Sequence, residues 1–187
     1  MYYLSQSLNF DENKIWFTGL DGSIREVMMD WEHDLMSGSA AYVCQNGGDI
    51  LEIGFGMGIS AGYIQSHSIS SHTILENHPD IIPLALNWAA EKPNVTIITG
   101  SWYDNLDILL TYDGVFHDTY ADYHLQYFSS SLAQLVKPGG VATWWNMSIT
   151  SSNLHNIPDV SYQEFSIDPP ENSYFNSNTY FLPKKQF

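Results

Sequence analysis

Asp49-Ile-Leu-Glu-Ile-Gly-Phe-Gly-Met-Gly58 decides how this chain folds. An apolar run, Ile50 to Ile53, carries one acid, Glu52. It then breaks into glycines at alternate positions, Gly54, Gly56 and Gly58, with Phe55 and Met57 between them. Such a run predicts a buried parallel strand that feeds a tight turn and then a helix. Glycine suits the turn because its backbone enters positive φ freely and a ligand can approach it without meeting a Cβ.

The spacing narrows the ligand. A dinucleotide fingerprint, G-x-G-x-x-G, would need its third glycine where this chain has Ile59. The pattern here is E-x-G-x-G-x-G, and an acid ahead of the glycines suits a ligand with a cationic amino group, such as the methionyl end of S-adenosylmethionine. A second acid, Glu76, followed by Asn77, closes the run Thr73-Ile-Leu-Glu76. It comes roughly 20 residues on, where folds of this kind hold ribose hydroxyls. On these features alone NAD and S-adenosylmethionine both stay open.

Working outward, strand and helix signals alternate. Strands are predicted at Ile50–Ile53, Thr73–Glu76, Val95–Thr99, Gly114–Asp118 and Val141–Trp145, with helices beginning near Ile59, Pro79, Tyr103 and Asp122. This alternation predicts an α/β three-layer fold with a mostly parallel central sheet. Val160–Ile167 and Thr179–Leu182 read as an antiparallel hairpin joined through Asp-Pro-Pro-Glu-Asn, with little room for a helix between Trp145 and Val160. Ahead of the core, the first 20 or so residues read as an irregular cover. Residues 23–44 read as a helix capped by Ser23 with Glu26 in capping-box position. On that helix Val27, Trp31 and Leu35 make one stripe, and Met28, Glu32 and Met36 the next. The expected organisation is one domain over 1–187, with 1–45 as cover and helix and 46–187 as the core.

Composition sets bounds. Hydrophobic residues make up 44% of the 187 and aromatic residues 14%, enough for a packed core. No apolar run reaches the ~18 residues of a membrane span, and the N-terminus lacks a signal-peptide apolar region. Cys44 is the lone cysteine, which excludes an internal disulfide and suits a reducing cytoplasm. Six Lys and Arg against 21 acids give a net charge of −15. Such a field repels nucleic acid and favours small cationic substrates.

Further segments complete a pattern: Thr99-Gly100-Ser101-Trp102 after the third strand, Asp113-Gly-Val-Phe-His-Asp118-Thr119-Tyr120 at the end of the fourth, and Lys137-Pro-Gly-Gly140 before the fifth, Val141-Ala-Thr-Trp-Trp-Asn-Met147-Ser148. In this order the chain resembles class I S-adenosylmethionine-dependent methyltransferases. The glycine loop, the Asp-Thr-Tyr strand end and Val27-Met-Met-Asp-Trp-Glu32 are similar to the guanidinoacetate N-methyltransferase family and its δ-type arginine methyltransferase relatives. The resemblance implies that Glu32 and Asp118 clamp a guanidine, with Asp118 as base, and that Thr119, Met147 and Ser148 also meet the acceptor. For the cofactor it implies Met28, Met36, Glu52, the loop Gly54-Phe55-Gly56-Met57-Gly58, Glu76, Asn77, Gly100, Ser101, Trp102 and Asp118. It also implies a sizeable helix between the fifth strand and the hairpin, which this chain lacks.

Physical chemistry supports the guanidine reading. A guanidinium matches a carboxylate with forked donors, and it must shed a proton as its nitrogen attacks. Paired carboxylates can orient it, offset its repulsion from a sulfonium and take that proton. The displacement needs no metal, and His117 adjoins Asp118 on a strand, where alternation sends the two side chains to opposite faces. The expected activity is methylation of a small guanidine, guanidinoacetate to creatine first. Alternatives are a protein arginine N-methyltransferase, a non-catalytic S-adenosylmethionine-binding protein and a cofactor-degrading enzyme.

Overall fold

The computed structural model describes residues 2–187. Its centre is a seven-stranded sheet: β4 (Asp49–Ile53), β5 (Ser71–Glu76), β6 (Val95–Thr99), β7 (Tyr112–His117), β8 (Val136–Trp144), β9 (Ser161–Ser166) and β10 (Thr179–Gln186). The spatial order is β6-β5-β4-β7-β8-β10-β9, parallel through the first five and closed by an antiparallel hairpin. This is the layered α/β architecture with a mostly parallel sheet that the alternation predicts, and the Rossmann-like arrangement that the resemblance implies. Among the described residues no helix is long and apolar enough to cross a membrane.

Strand alternation assigns the two faces. Ile50, Ile74 and Ile97 share one face and pack beneath α1 (His33–Val43), α2 (Ile59–Gln65) and α3 (Ile82–Ala89). Leu51, Ile53, Leu75 and Val115 look the other way, against α4 (Phe128–Leu135) and the segment around Leu106 and Leu109. β4 is buried on both faces, so its near-continuous apolar run needs no polar alternation.

Three expectations fail in instructive ways. The first 20 residues are not an irregular cover: a 3₁₀ turn at Tyr3–Ser5 precedes β1 (Asn9–Phe10) and β2 (Lys14–Thr18). The helix over 23–44 is also wrong in its first half. Ile24–Met29 is a strand, β3, antiparallel to β2, and helix begins only at His33 after a 3₁₀ turn at Asp30–Glu32. Ser23 is no helix cap; its hydroxyl donates to Asp21 Oδ1 at 2.6 Å inside the β2–β3 turn, where Gly22 has φ +79°. Glu26 serves no capping box; it pairs across the hairpin with Lys14 at 3.3 Å.

The third failure is the helix near Tyr103. The Ser101 hydroxyl accepts from Tyr103 N, and the Asn105 amide donates back to Ser101 O at 2.8 Å. Short polar side chains bonding their own backbone divert this stretch into turns. Elsewhere shifts are small: α3 starts at Ile82 rather than Pro79, β7 stops at His117, and β8 runs from Val136 to Trp144.

Two glycines of the β4–α2 loop are fixed by close approach. Gly54 has φ +96°, and a Cβ there would drive into the carbonyl oxygen of Asp118. Gly56 has φ +53°, and a Cβ there would meet Met28 Sδ. The loop therefore lies directly against both the end of β7 and the N-terminal hairpin. Gly54→Ala is expected to destabilise the protein by about 2 kcal/mol or more, from left-handed strain plus the clash. Gly62→Ala in α2, where a Cβ meets nothing within 4 Å, should be neutral or mildly stabilising. Urea-unfolding midpoints of the two variants check this, and equal midpoints would contradict it.

Candidate active site

A cavity of about 330 Å³ opens at the carboxyl ends of β4, β5, β6 and β7. That size falls in the range of small-molecule sites. Each strand end supplies a wall: Gly54, Phe55 and Gly56 after β4, Glu76 and Asn77 at β5, Gly100 and Trp102 after β6, Asp118 and Thr119 after β7. Val27, Met28 and Glu32 close it from the N-terminal side, Tyr3 and Tyr120 from above the glycine loop, Trp145, Met147 and Tyr174 from the C-terminal half.

The carboxylates differ in what they already hold. Glu76 Oε1 accepts from Asn77 N at 2.8 Å and His78 N at 2.7 Å, while Oε2 accepts from Phe55 N at 2.9 Å. One lone pair of Oε2 is left to face the cavity. Glu32 Oε1 accepts from Met29 N at 3.0 Å and from the Tyr174 hydroxyl at 2.6 Å. Asp118 accepts no hydrogen bond on its carboxylate from any described residue; its backbone N–H donates to Ile53 O at 2.8 Å and continues the β4–β7 ladder.

Burial pushes the Glu32 carboxyl up to about 8, helped by the charge of Asp118 and opposed by the hydrogen bonds from Tyr174 and Met29. Burial, with the charge of Glu52, pushes Asp118 up to about 7. Two acids with raised values around one cavity are the arrangement expected where a cation binds or a proton moves.

Several predicted residues stand behind the cavity rather than on it. Glu52 is fully buried; Ser60 Oγ, on the first turn of α2, donates to its Oε1, and His72 Nε2 lies 2.9 Å from Oε2. It braces the glycine loop from below. Met36 is core beside Ala40 and Ile59, and Met57 and Gly58 also lie outside the lining. Met57 N points at Met28 Sδ, 3.3 Å away. Ser101 is committed to His124 Nδ1 at 3.0 Å and Tyr103 N at 3.2 Å. Ser148 bonds Thr150 and does not line the cavity, whereas Met147, 67% exposed, stands at its mouth.

Two contributors escaped the sequence reading. Asp122 accepts from Trp102 Nε1 at 2.6 Å, His124 N at 2.8 Å and Thr119 Oγ1 at 3.3 Å, with His117 Nε2 at 3.5 Å. Burial would raise its carboxyl, but these donors outweigh it and hold the group at about 2. Its place three residues after Thr119 was the available signal. Tyr174 had none, since it meets Glu32 across 142 residues of chain.

The family model for guanidinoacetate N-methyltransferase matches residues 8–176. This chain belongs to that family. Its members are class I S-adenosylmethionine-dependent methyltransferases, and the sheet order and glycine loop agree. Curated relatives include protein arginine N-methyltransferase 2 of Yarrowia lipolytica, 32% identical over 90% of this chain and 39% of the relative. The protein of that name from Saccharomyces cerevisiae is 30% identical over 99% of this chain and 52% of its own length. That of Eremothecium gossypii is 35% identical over 86% and 47%. The chain thus spans about half, or less, of the curated relatives it matches. Among solved structures, spermidine synthase from Thermotoga maritima superposes with a TM-score of 0.65 at 13% identity, over 96% of this chain and 72% of that one. Fibrillarin from Aeropyrum pernix with bound S-adenosylmethionine gives 0.56 at 13% identity, over 95% and 97%. At such identities these two likenesses speak for the fold alone.

Raised carboxyls carry a stability cost with a defined sign. An unfolded glutamate titrates near 4.3. From there up to about 8 the folded protein keeps a proton on Glu32 that the unfolded chain has lost. That contribution is full below the unfolded value and disappears as pH rises through the folded one. Glu32→Gln is therefore expected to match wild type in stability near pH 4 and to exceed it near pH 8, by an amount of order a few kcal/mol. Denaturant midpoints measured across this range test it; a gap independent of pH would count against it.

Proposed function

We propose that this chain transfers a methyl group from S-adenosylmethionine to the guanidino group of an arginine side chain in a protein or peptide. The observation that carries the reading is the meeting of Glu32 and Asp118 at one cavity that also receives Glu76 and Trp102. When bound, S-adenosylmethionine supplies an electrophilic methyl on a sulfonium. The residues present fit that group. Gly54 and Gly56 present bare backbone on the cavity wall, and Glu76 keeps one lone pair for a ribose hydroxyl. Trp102, held by Asp122, offers a fixed aromatic wall for adenine.

On the acceptor side, Glu32 and Asp118 bind and orient the guanidinium by charge-assisted hydrogen bonds. At ~4 Å and an effective dielectric near 20, each such pair is worth of order 4 kcal/mol before desolvation. They must hold the attacking nitrogen ~3–3.5 Å from the methyl carbon and in line with the bond that breaks. The nitrogen lone pair forms the new N–C bond, the S–C pair returns to sulfur, and Asp118 takes the nitrogen's proton. Asp118 suits that task because its raised value keeps it basic near neutrality.

Arginine in a chain is favoured over guanidinoacetate on two grounds. The curated relatives are named protein arginine N-methyltransferases, which fits the alternative reading of the sequence better than its first choice. The cavity also has three carboxylates and, among its described lining residues, no Lys or Arg to meet the carboxylate of a small guanidino acid. Ser148, expected to meet the acceptor, is turned to Thr150.

The test is incubation with S-adenosylmethionine and, separately, an arginine peptide, free arginine, agmatine and guanidinoacetate, read by product mass. The expected result is methylated peptide, lowered at least ~100-fold in rate by Asp118→Asn with cofactor binding retained. Product from guanidinoacetate but not from the peptide would reverse the choice of acceptor. Cofactor binding without any methylated product would refute the activity.

A further inference from the structure

The loop between β9 and β10 reaches back across the molecule to the acceptor side of the cavity. It is fastened at Ser173, whose N–H donates to Glu26 Oε2 and whose hydroxyl accepts from Glu26 N, each at 3.1 Å. The next residue, Tyr174, stacks on Trp31 with ring centroids 6.2 Å apart and planes within 24°. Phe175 stacks on the same indole at 6.1 Å. So anchored, the Tyr174 hydroxyl donates to Glu32 Oε1 at 2.6 Å, the oxygen that already accepts from Met29 N at 3.0 Å.

A carboxylate oxygen has two lone pairs, and both of those on Oε1 are taken. Oε2 alone is left for a ligand. We propose that Tyr174 is a positioning residue that makes Glu32 a one-oxygen acceptor, so that an arginine guanidinium gives Glu32 a single N–H and presents its two-donor fork to Asp118. The inference rests on the function proposed above. It divides the clamp between the two acids: one fixes direction, the other makes the bidentate contact and receives the proton.

The hydroxyl also stabilises the charged form of Glu32. The groups facing this carboxylate are Tyr174 from the loop, Asp118 beyond β7, Tyr180 on β10, whose hydroxyl accepts from Asn146 N, and the Met29 amide. Asp118 opposes ionisation, while Tyr174 and Met29 favour it. Removing the phenol leaves one donor against the same burial and the same neighbouring acid.

The experiment is Tyr174→Phe, which keeps the ring on Trp31 and removes only the donor. In protein carrying ¹³C-carboxyl glutamate, with Glu32→Gln to assign the signal, the Glu32 titration should move up by about one pH unit. In peptide methylation the acidic limb of kcat/KM should move with it. The loss would reach about tenfold below the limb and vanish well above it. An unmoved Glu32 titration overturns the positioning role whatever the activity. A loss of equal size at every pH also overturns it, since lost packing has no proton dependence. A moved titration in a protein that methylates no guanidine would support the hydrogen bond and refute the function it was assigned to.

Discussion

Carboxylates taken out of water must find donors, and meeting that demand organises this molecule. Glu76 receives three backbone N–H groups, from Phe55, Asn77 and His78. Phe55 belongs to the glycine loop, so the acid at the end of β5 also fixes the loop after β4. Glu52 sits under the same loop and takes the Ser60 hydroxyl, with His72 alongside. Asp122 gathers an indole, an amide and a hydroxyl, and thereby joins the segment after β6 to the one after β7. Each of these acids ties together two segments of the chain. Asp118 is the exception: its carboxylate takes no donor from a described residue, and it stands on the cavity. An acid left without a donor on a cavity wall, beside Glu32 and Glu76 that have theirs, is where a ligand's positive charge has most to gain.

The same demand shapes the N-terminal hairpin and the β9–β10 loop. Glu26 is nearly buried on the hairpin β2–β3, and its partners are Lys14 on one side and Ser173 on the other. One acid thus binds the N-terminal sheet to the loop that carries Tyr174. Tyr3 packs on His78 and Tyr120, and Leu8 N donates to Asp80, so the first residues are tied to the β5–α3 connection. The N-terminal residues and the β9–β10 loop both close over the strand ends, through contacts of long sequence range. A sheet alone would leave that rim open.

What the sequence made legible follows from the range of the interactions involved. The glycine loop, Glu76, Trp102 and the Asp118-Thr119 strand end are local signals on a parallel sheet whose register is set by apolar runs, and all of them meet at the cavity. The error over residues 23–44 came from period. Val27, Trp31 and Leu35 do recur at helical spacing, but the Asp21-Gly22 turn flanked by apolar residues is a hairpin signal, and pairing with β2 decides the matter. Glu32 was found on the wrong element and in the right place, because the lead-in to α1 occupies the rim that a longer helix would have reached. The turns after Ser101 were hidden for a different reason: helix propensity there is ordinary, and only side-chain bonding by Ser101 and Asn105 breaks it. Tyr174 and the role of Glu26 belong to contacts more than a hundred residues apart, for which no local pattern exists.

Under the proposed function, the poise of Asp118 is set by opposing needs. To bind a guanidinium it must be charged; to take the proton it must be a better base than an aqueous carboxylate. Burial supplies the second by raising its proton affinity, and the negative charge of Glu52 beneath the loop adds to it. The first is supplied by ligands, since a sulfonium and a guanidinium each favour ionised carboxylates. Glu32 and Asp118 stand between two cations that would otherwise repel each other, so each ligand strengthens the charge state that the other requires. That coupling makes binding of the two cooperative through protonation, without any movement of the backbone. It also accounts for a cavity whose acids are left unneutralised by Lys or Arg. A fixed cation would satisfy Asp118 permanently, lower its basicity and remove the very demand that draws the acceptor in.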